Sequence, residues 1–165
     1  MRPFLCLFLT LLNVNLIAQP APSIPRQRTD AHMPVAGMSL SIVPPPGFAV
    51  ATEFTGYVQR ASRATLLISE LGGTVQANLS KFSRESLLSR GMFVQKEETF
   101  MNGLVPARFV EAEQFAHGTK HIKYIYLFGD AEHCFLITAS FPKDVSDLGP
   151  LIRPAMLSAL PVAGE

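Results

Sequence analysis

The chain of 165 residues has no tryptophan and only two cysteines, and charged side chains make up just 16% of it. Each shortage excludes something. Cys6 lies within the apolar opening stretch, so once that stretch is removed Cys134 is the sole thiol and no intramolecular disulfide can form. Stability then has to come from an apolar core. Charge is sparse and balanced, 14 Lys and Arg against 13 Asp and Glu, for a formal net charge of +1. A domain this near neutrality offers no basic stripe for nucleic acid and no polybasic cluster for anionic lipid, so neither is expected as a partner. The short signatures of catalysis are also missing: the sequence has no G-x-S-x-G elbow, no phosphate-binding glycine loop, no H-E-x-x-H and no Cys-x-x-Cys.

The opening "MRPFLCLFLTLLNVNLIA" places Arg2 before an apolar run from Phe4 to Ala18 and ends on small residues. It reads as a signal peptide over residues 1–18, cut after Ala18 or, failing that, after Ala21. The run is shorter than the roughly 20 apolar residues that cross a bilayer, and Asn13 and Asn15 interrupt it. Cys6 sits inside the run and not after it, which disfavours a lipid anchor. Cleavage takes Arg2 away and leaves 13 residues of each sign. The mature chain is expected to be periplasmic or secreted, with no integral membrane segment. Residues 19–37, "QPAPSIPRQRTDAHMPVAG", are proline-rich and aperiodic and read as a flexible spacer. Residues 38–165 then form a single domain.

Within that domain the stretch Lys120 to Phe141 reads as a β-hairpin of two long apolar strands. With Gly129 to Glu132 as its loop, Phe128 faces His133, Tyr126 faces Phe135 and Tyr124 faces Ile137. Both faces stay mostly apolar until Lys123 meets Thr138 and His121 meets Ser140, so the hairpin is expected at the centre of a sheet covered on both sides. Before it come short strands at Met38–Ile42 and Phe54–Gln59, and a stronger one at Arg63–Leu71 with Ala64, Leu66 and Ile68 on one face. A helix N-capped by Ser83 follows, burying Leu87 and Leu88 and closing at Gly91. Met92–Phe100 has many polar positions and reads as an edge strand. Asn102-Gly103 turns it back, with Arg108 opposite Glu97, and a turn at His117–Thr119 then sets Glu113 opposite Lys123. A last helix over Leu148–Leu160 carries an apolar stripe of Leu148, Leu151, Ile152, Ala155, Met156, Ala159 and Leu160, with Pro150 in its first turn and Pro154 bending or delaying it.

Chemistry-bearing residues are few. His117, His121 and His133 have a metal-like spacing, but the hairpin sets His121 and His133 roughly 20 Å apart at about 3.3 Å per residue, so the three do not gather; His117 and His121 read as solvated turn histidines, with a two-ligand surface metal site as the alternative. Asp130, Glu132 and His133 read as a polar loop. Cys134 faces apolar neighbours and reads as a buried structural thiol, and Asn78-Leu79-Ser80 fits a glycosylation acceptor that means little in a bacterial host. No catalytic, cofactor-binding or metal-binding residue is assigned, and no cofactor is expected.

The succession "PPPGF", "LSKFSRESLLSRG", "NGLVPARFVEAEQ", "KYIYLFGD", "FLITASFP" and a terminal apolar helix resembles the PsbP-like superfamily, which takes in the PsbP subunit of photosystem II, Mog-type Ran-binding proteins and bacterial DcrB-like exported proteins. The likeness covers roughly Met38 to Leu160. It implies an α+β domain, an antiparallel meander flanked by helices on both faces as an α/β/α sandwich, and a non-catalytic accessory or binding role. The expected protein is a monomer that binds another envelope protein. The alternative is a hydrolase or metal-dependent enzyme whose site is assembled from Glu97, Glu111, Glu113 and His121.

Overall fold

The computed structural model describes residues 27–102, 105–116 and 118–162, so the expected signal peptide, residues 19–26 of the expected spacer, Gly103 of the expected turn, and His117 lie outside the described residues. The fold is α+β, dominated by antiparallel strands with three short helices. Seven strands make the main sheet: β3 (Ala49–Val50), β4 (Gly56–Gln59), β5 (Ala64–Leu71), β9 (Cys134–Pro142), β8 (Thr119–Gly129), β7 (Val105–Ala116) and β6 (Met92–Asn102), hydrogen-bonded in that order. A second sheet joins β1 (Met33–Pro34), β2 (Leu40–Ile42) and β10 (Leu160–Pro161). The end of the stretch expected to be spacer therefore belongs to the fold. Met33 pairs with Ile42 and Val35 is buried, while Pro34 is tolerated because β1 is an edge strand.

β8 and β9 are the central pair, and the faces expected of them hold, with a register two residues off the expected one. Gly129 pairs with Cys134, Phe128 with Phe135 and Tyr126 with Ile137. Two residues at the turn set this. The Asp130 carboxylate accepts from the N–H groups of Glu132 and His133, both at 2.8 Å, so the loop starts at Asp130. Gly129 closes the ladder because a Cβ there would sit 1.9 Å from the His133 carbonyl oxygen. A shift of two leaves every side chain on its own face, so the pattern argument survives the error in the turn. The same holds between β6 and β7: Asn102 pairs with Val105, Arg108 sits opposite Thr99 and Glu97 opposite Val110, with an irregularity between Val94 and Lys96. Arg108 still reaches Glu97, diagonally, at 2.5 Å.

At the β7–β8 turn the error is one residue, and its consequence is larger. Ala116 pairs with Thr119, so the connection is two residues long and includes Gly118 at φ +75°. Lys123 falls opposite Ala112 and Glu113 opposite Ile122, so the expected Glu113–Lys123 pair does not form. Glu113 instead binds Lys120 and Lys143, while Lys123 projects from the other face of the sheet.

One face of the sheet carries the larger core. Tyr126, Phe128, Phe135 and Phe141 are fully buried there, each worth about 1.5–3 kcal/mol by burial. Tyr126 stacks on Phe128 at 4.5 Å, and Tyr124 meets Phe141 edge-on at 5.3 Å. A 3₁₀ stretch at Lys143–Leu148 leads into α3 (Gly149–Leu157), with Pro150 in the first turn as expected. The helix is shorter than the sequence suggests: it ends where Ser158 turns back to bond Ala155, and Leu160 belongs to β10. Ile152, Ala155 and Met156 are buried, but Leu151 is exposed. The opposite face carries α1 (Val75–Leu79, capped by Thr74), a 3₁₀ turn at Ser80–Phe82, and α2 (Arg84–Leu88, capped by Ser83) where one helix was expected. Val75, Phe82 and Leu87 pack there with Val110, Ile125, Leu127 and Cys134, whereas Leu88 points outward at 53% exposure.

Candidate functional site

A cleft of about 540 Å³ runs between β1 and the β3–β4 connection. Its ionisable side chains are Glu53, which is exposed and paired with Arg60, and Tyr57, which belongs to the core. Size is there, but converging polar chemistry is not.

A smaller cavity of about 310 Å³ lies where the cover of α1 and α2 runs out over the second face. The two helices are short, five residues each, and they cap the sheet around Val110, Ile125, Leu127 and Cys134. Beyond Ile125 the same face turns polar, through Lys123 and Thr138 to His121 and Ser140. The last two approach each other at 3.5 Å. Phe82, Leu87, Met92, Ile125 and Leu136 form the apolar wall; Lys123, Gln114, Thr138 and Arg90 supply the polar groups. Gln114 donates to the Arg90 carbonyl at 3.0 Å, holding the end of α2 over the cavity. The Arg90 guanidinium lies 5.6 Å from the Phe82 ring centre and donates to the Lys81 carbonyl at 3.0 Å.

Lys123 is half-buried in this cavity, and burial pulls its pKa below the ordinary lysine value. Among the described residues its ammonium group has no ion-pair or hydrogen-bond partner. Sequence reasoning missed it because it hung on one residue of loop length: a three-residue turn at His117–Thr119 pairs Lys123 with a glutamate, and the two-residue turn removes that partner.

The other expected positions scatter. Glu97 shares the Lys123 face but is held by Arg108, while Glu111, opposite Tyr124, and Glu113, opposite Ile122, lie on the other face. The residues proposed for a composite hydrolytic or metal site therefore do not converge. His133 is held in its turn by Asp130, with Nδ1 to Oδ1 at 3.2 Å. Burial pushes the Asp130 pKa up, but the hydrogen bonds it accepts outweigh this and hold its carboxyl below the ordinary range. Among the described residues no three His, Cys, Asp or Glu side chains group to hold a metal ion. Asn78, the glycosylation position, is buried: its amide donates to the Gly72 and Thr74 carbonyls and its oxygen accepts from Lys81. Cys134 is fully buried beneath α1, and burial raises its thiol pKa more than the Asn78 hydrogen bond and the Lys81 charge lower it.

A different feature marks the corner where β6 meets the end of β7. Phe93 and Phe115 stand exposed at 56% and 69% on either side of the Glu113 pairs with Lys120 and Lys143, and Leu88 shares a groove with Phe93. β6 is the outer strand, as its polar pattern suggested, and Arg84 covers the Val94 carbonyl beside its irregularity.

Among the described residues no helix is long and apolar enough to cross a membrane. The chain matches no family model, and no curated protein matches it.

Proposed function

We propose that this chain is an exported, non-catalytic accessory protein of the bacterial cell envelope, periplasmic or secreted, and that it acts as a monomer by binding another envelope protein. We read its α+β domain as an α/β/α sandwich of the PsbP-like kind. The observation that carries the binding role is the corner of Phe93, Phe115 and Leu88. Large apolar side chains that cluster in the open beside an unpaired strand edge mark contact surfaces. Glu113 pairs with both Lys120 and Lys143, so the corner keeps a single net positive charge beside its three large apolar side chains. The surface therefore suits an extended apolar segment, whose main chain meets the β6 edge while its side chains meet the phenylalanines.

A photo-crosslinking residue placed at Phe93 or at Phe115 tests this in cells. Val50 serves as the control, being exposed on the strand at the other edge of the sheet. The expected result is one discrete adduct from both corner positions and none from Val50. An equal adduct from Val50, or none from the corner, overturns the reading.

A further inference from the structure

The cavity at Lys123 does not depend on that docking corner and points to a ligand of its own. Lys123 rises from β8 among apolar side chains, its ammonium group with no partner among the described residues. Carboxylates that could have served it are engaged or averted: Glu97 holds Arg108, and Glu111 and Glu113 stand on the other face. The second cation at the site, Arg90, spends its donated hydrogen bonds through one terminal nitrogen, on the Lys81 carbonyl and Ser86 Oγ, and among the described residues its other N–H groups have no acceptor. A half-buried ammonium without an anion is costly, and a ligand that brings one recovers that cost.

We propose that this cavity binds a small monoanion with an apolar body, a medium-chain carboxylate, with its carboxylate on Lys123 under Arg90 and its chain along Phe82, Leu87, Ile125 and Leu136. The chemistry selects this class. A bare phosphate finds two cations here but an apolar wall where it needs further donors, and an uncharged hydrocarbon leaves Lys123 unpaired. At about 310 Å³ the space stands at the low end of ligand pockets, enough for a single chain and not for a two-chain lipid.

The test uses protein purified from expression of the full chain, its lysines ¹³C-dimethylated so that they remain cationic and each gives its own NMR signal. It is titrated with octanoate and, separately, with octanol as the uncharged match. The expected result is a saturable shift of the Lys123 signal with octanoate and at least tenfold weaker binding of octanol. In Lys123→Met the preference for octanoate over octanol disappears. If that variant does not fold, the octanoate-to-octanol ratio of the unsubstituted protein decides alone. Equal binding of the two, no shift at Lys123, or a uniform drift of all lysine signals overturns the proposal. Phe93→Ser should leave octanoate binding unchanged; weakening by that substitution places the ligand at the corner instead and refutes this site.

Discussion

Gly149 offers a sharp test of how α3 is seated. It opens the helix with φ −52° and ψ −49°, an ordinary helical conformation that any residue adopts, so nothing in its backbone calls for glycine. Space does. A Cβ at this position would stand 2.5 Å from the Tyr124 hydroxyl oxygen and 3.5 Å from the ring carbon that bears it. The first distance is a collision and the second an ordinary contact. Gly149→Ala therefore gains up to about 1 kcal/mol in helix propensity and loses about 1–3 kcal/mol to overpacking against β8. A net loss of roughly 1 kcal/mol is expected in the unsubstituted background. Tyr124→Phe removes the one colliding atom, so in that background the same change should be neutral or stabilising, a coupling of about 1–3 kcal/mol between the two sites. Urea denaturation of the four proteins at constant m-value measures it. If Gly149→Ala is harmless beside Tyr124, or costs as much beside Phe, the packing of the first turn of α3 onto β8 is not as described.

Cys134 should react slowly with a thiol reagent in the native protein and rapidly in denaturant, because it is fully buried and its pKa is raised; fast native labelling, followed by absorbance, would contradict its place beneath α1. Asp130→Ala should cost on the order of 1 kcal/mol near neutral pH through loss of the oxygen that accepts from both N–H groups at the turn. Since the folded state holds the Asp130 pKa below its ordinary value, the contribution is present above the ordinary aspartate range and is lost as pH falls through the folded pKa. Denaturation curves of the two proteins should accordingly converge in acid, and a gap that persists there would assign the effect to something other than the charge.

What could be read in the sequence was local and periodic. Ala64, Leu66 and Ile68 share a buried face because a strand alternates, and Ser83 caps a helix because its hydroxyl reaches the Ser86 N–H. What could not be read depended on distant pairings or on single residues of loop length. β1 and β10 are two residues each and exist as strands only through β2, which no local pattern announces. Leu88 has the same composition signal as Leu87, yet α2 is too short for both to face inward. The cavity shared this fate: it arises where two five-residue helices fail to cover a wide sheet, and its lysine lost its expected partner to a turn one residue shorter than the pattern suggested.

The three-stranded sheet decides how the protein is presented. The described chain enters through β1 and leaves through β10, on either side of β2, and the His32 ring is hydrogen-bonded to the Ser158 carbonyl at 3.0 Å. β1 lines the cleft beside β3 and β4, at one limit of the main sheet, whereas β6 forms the other. Six interstrand steps of about 4.8 Å separate the outer strands, roughly 29 Å across. A label, resin or surface joined directly before β1 therefore holds the protein by the rim opposite the phenylalanine corner and leaves that corner facing outward. Because entry and exit share one small sheet, a pull on both ends loads the two-residue pairings of β1 and β10 before it reaches any strand of the seven.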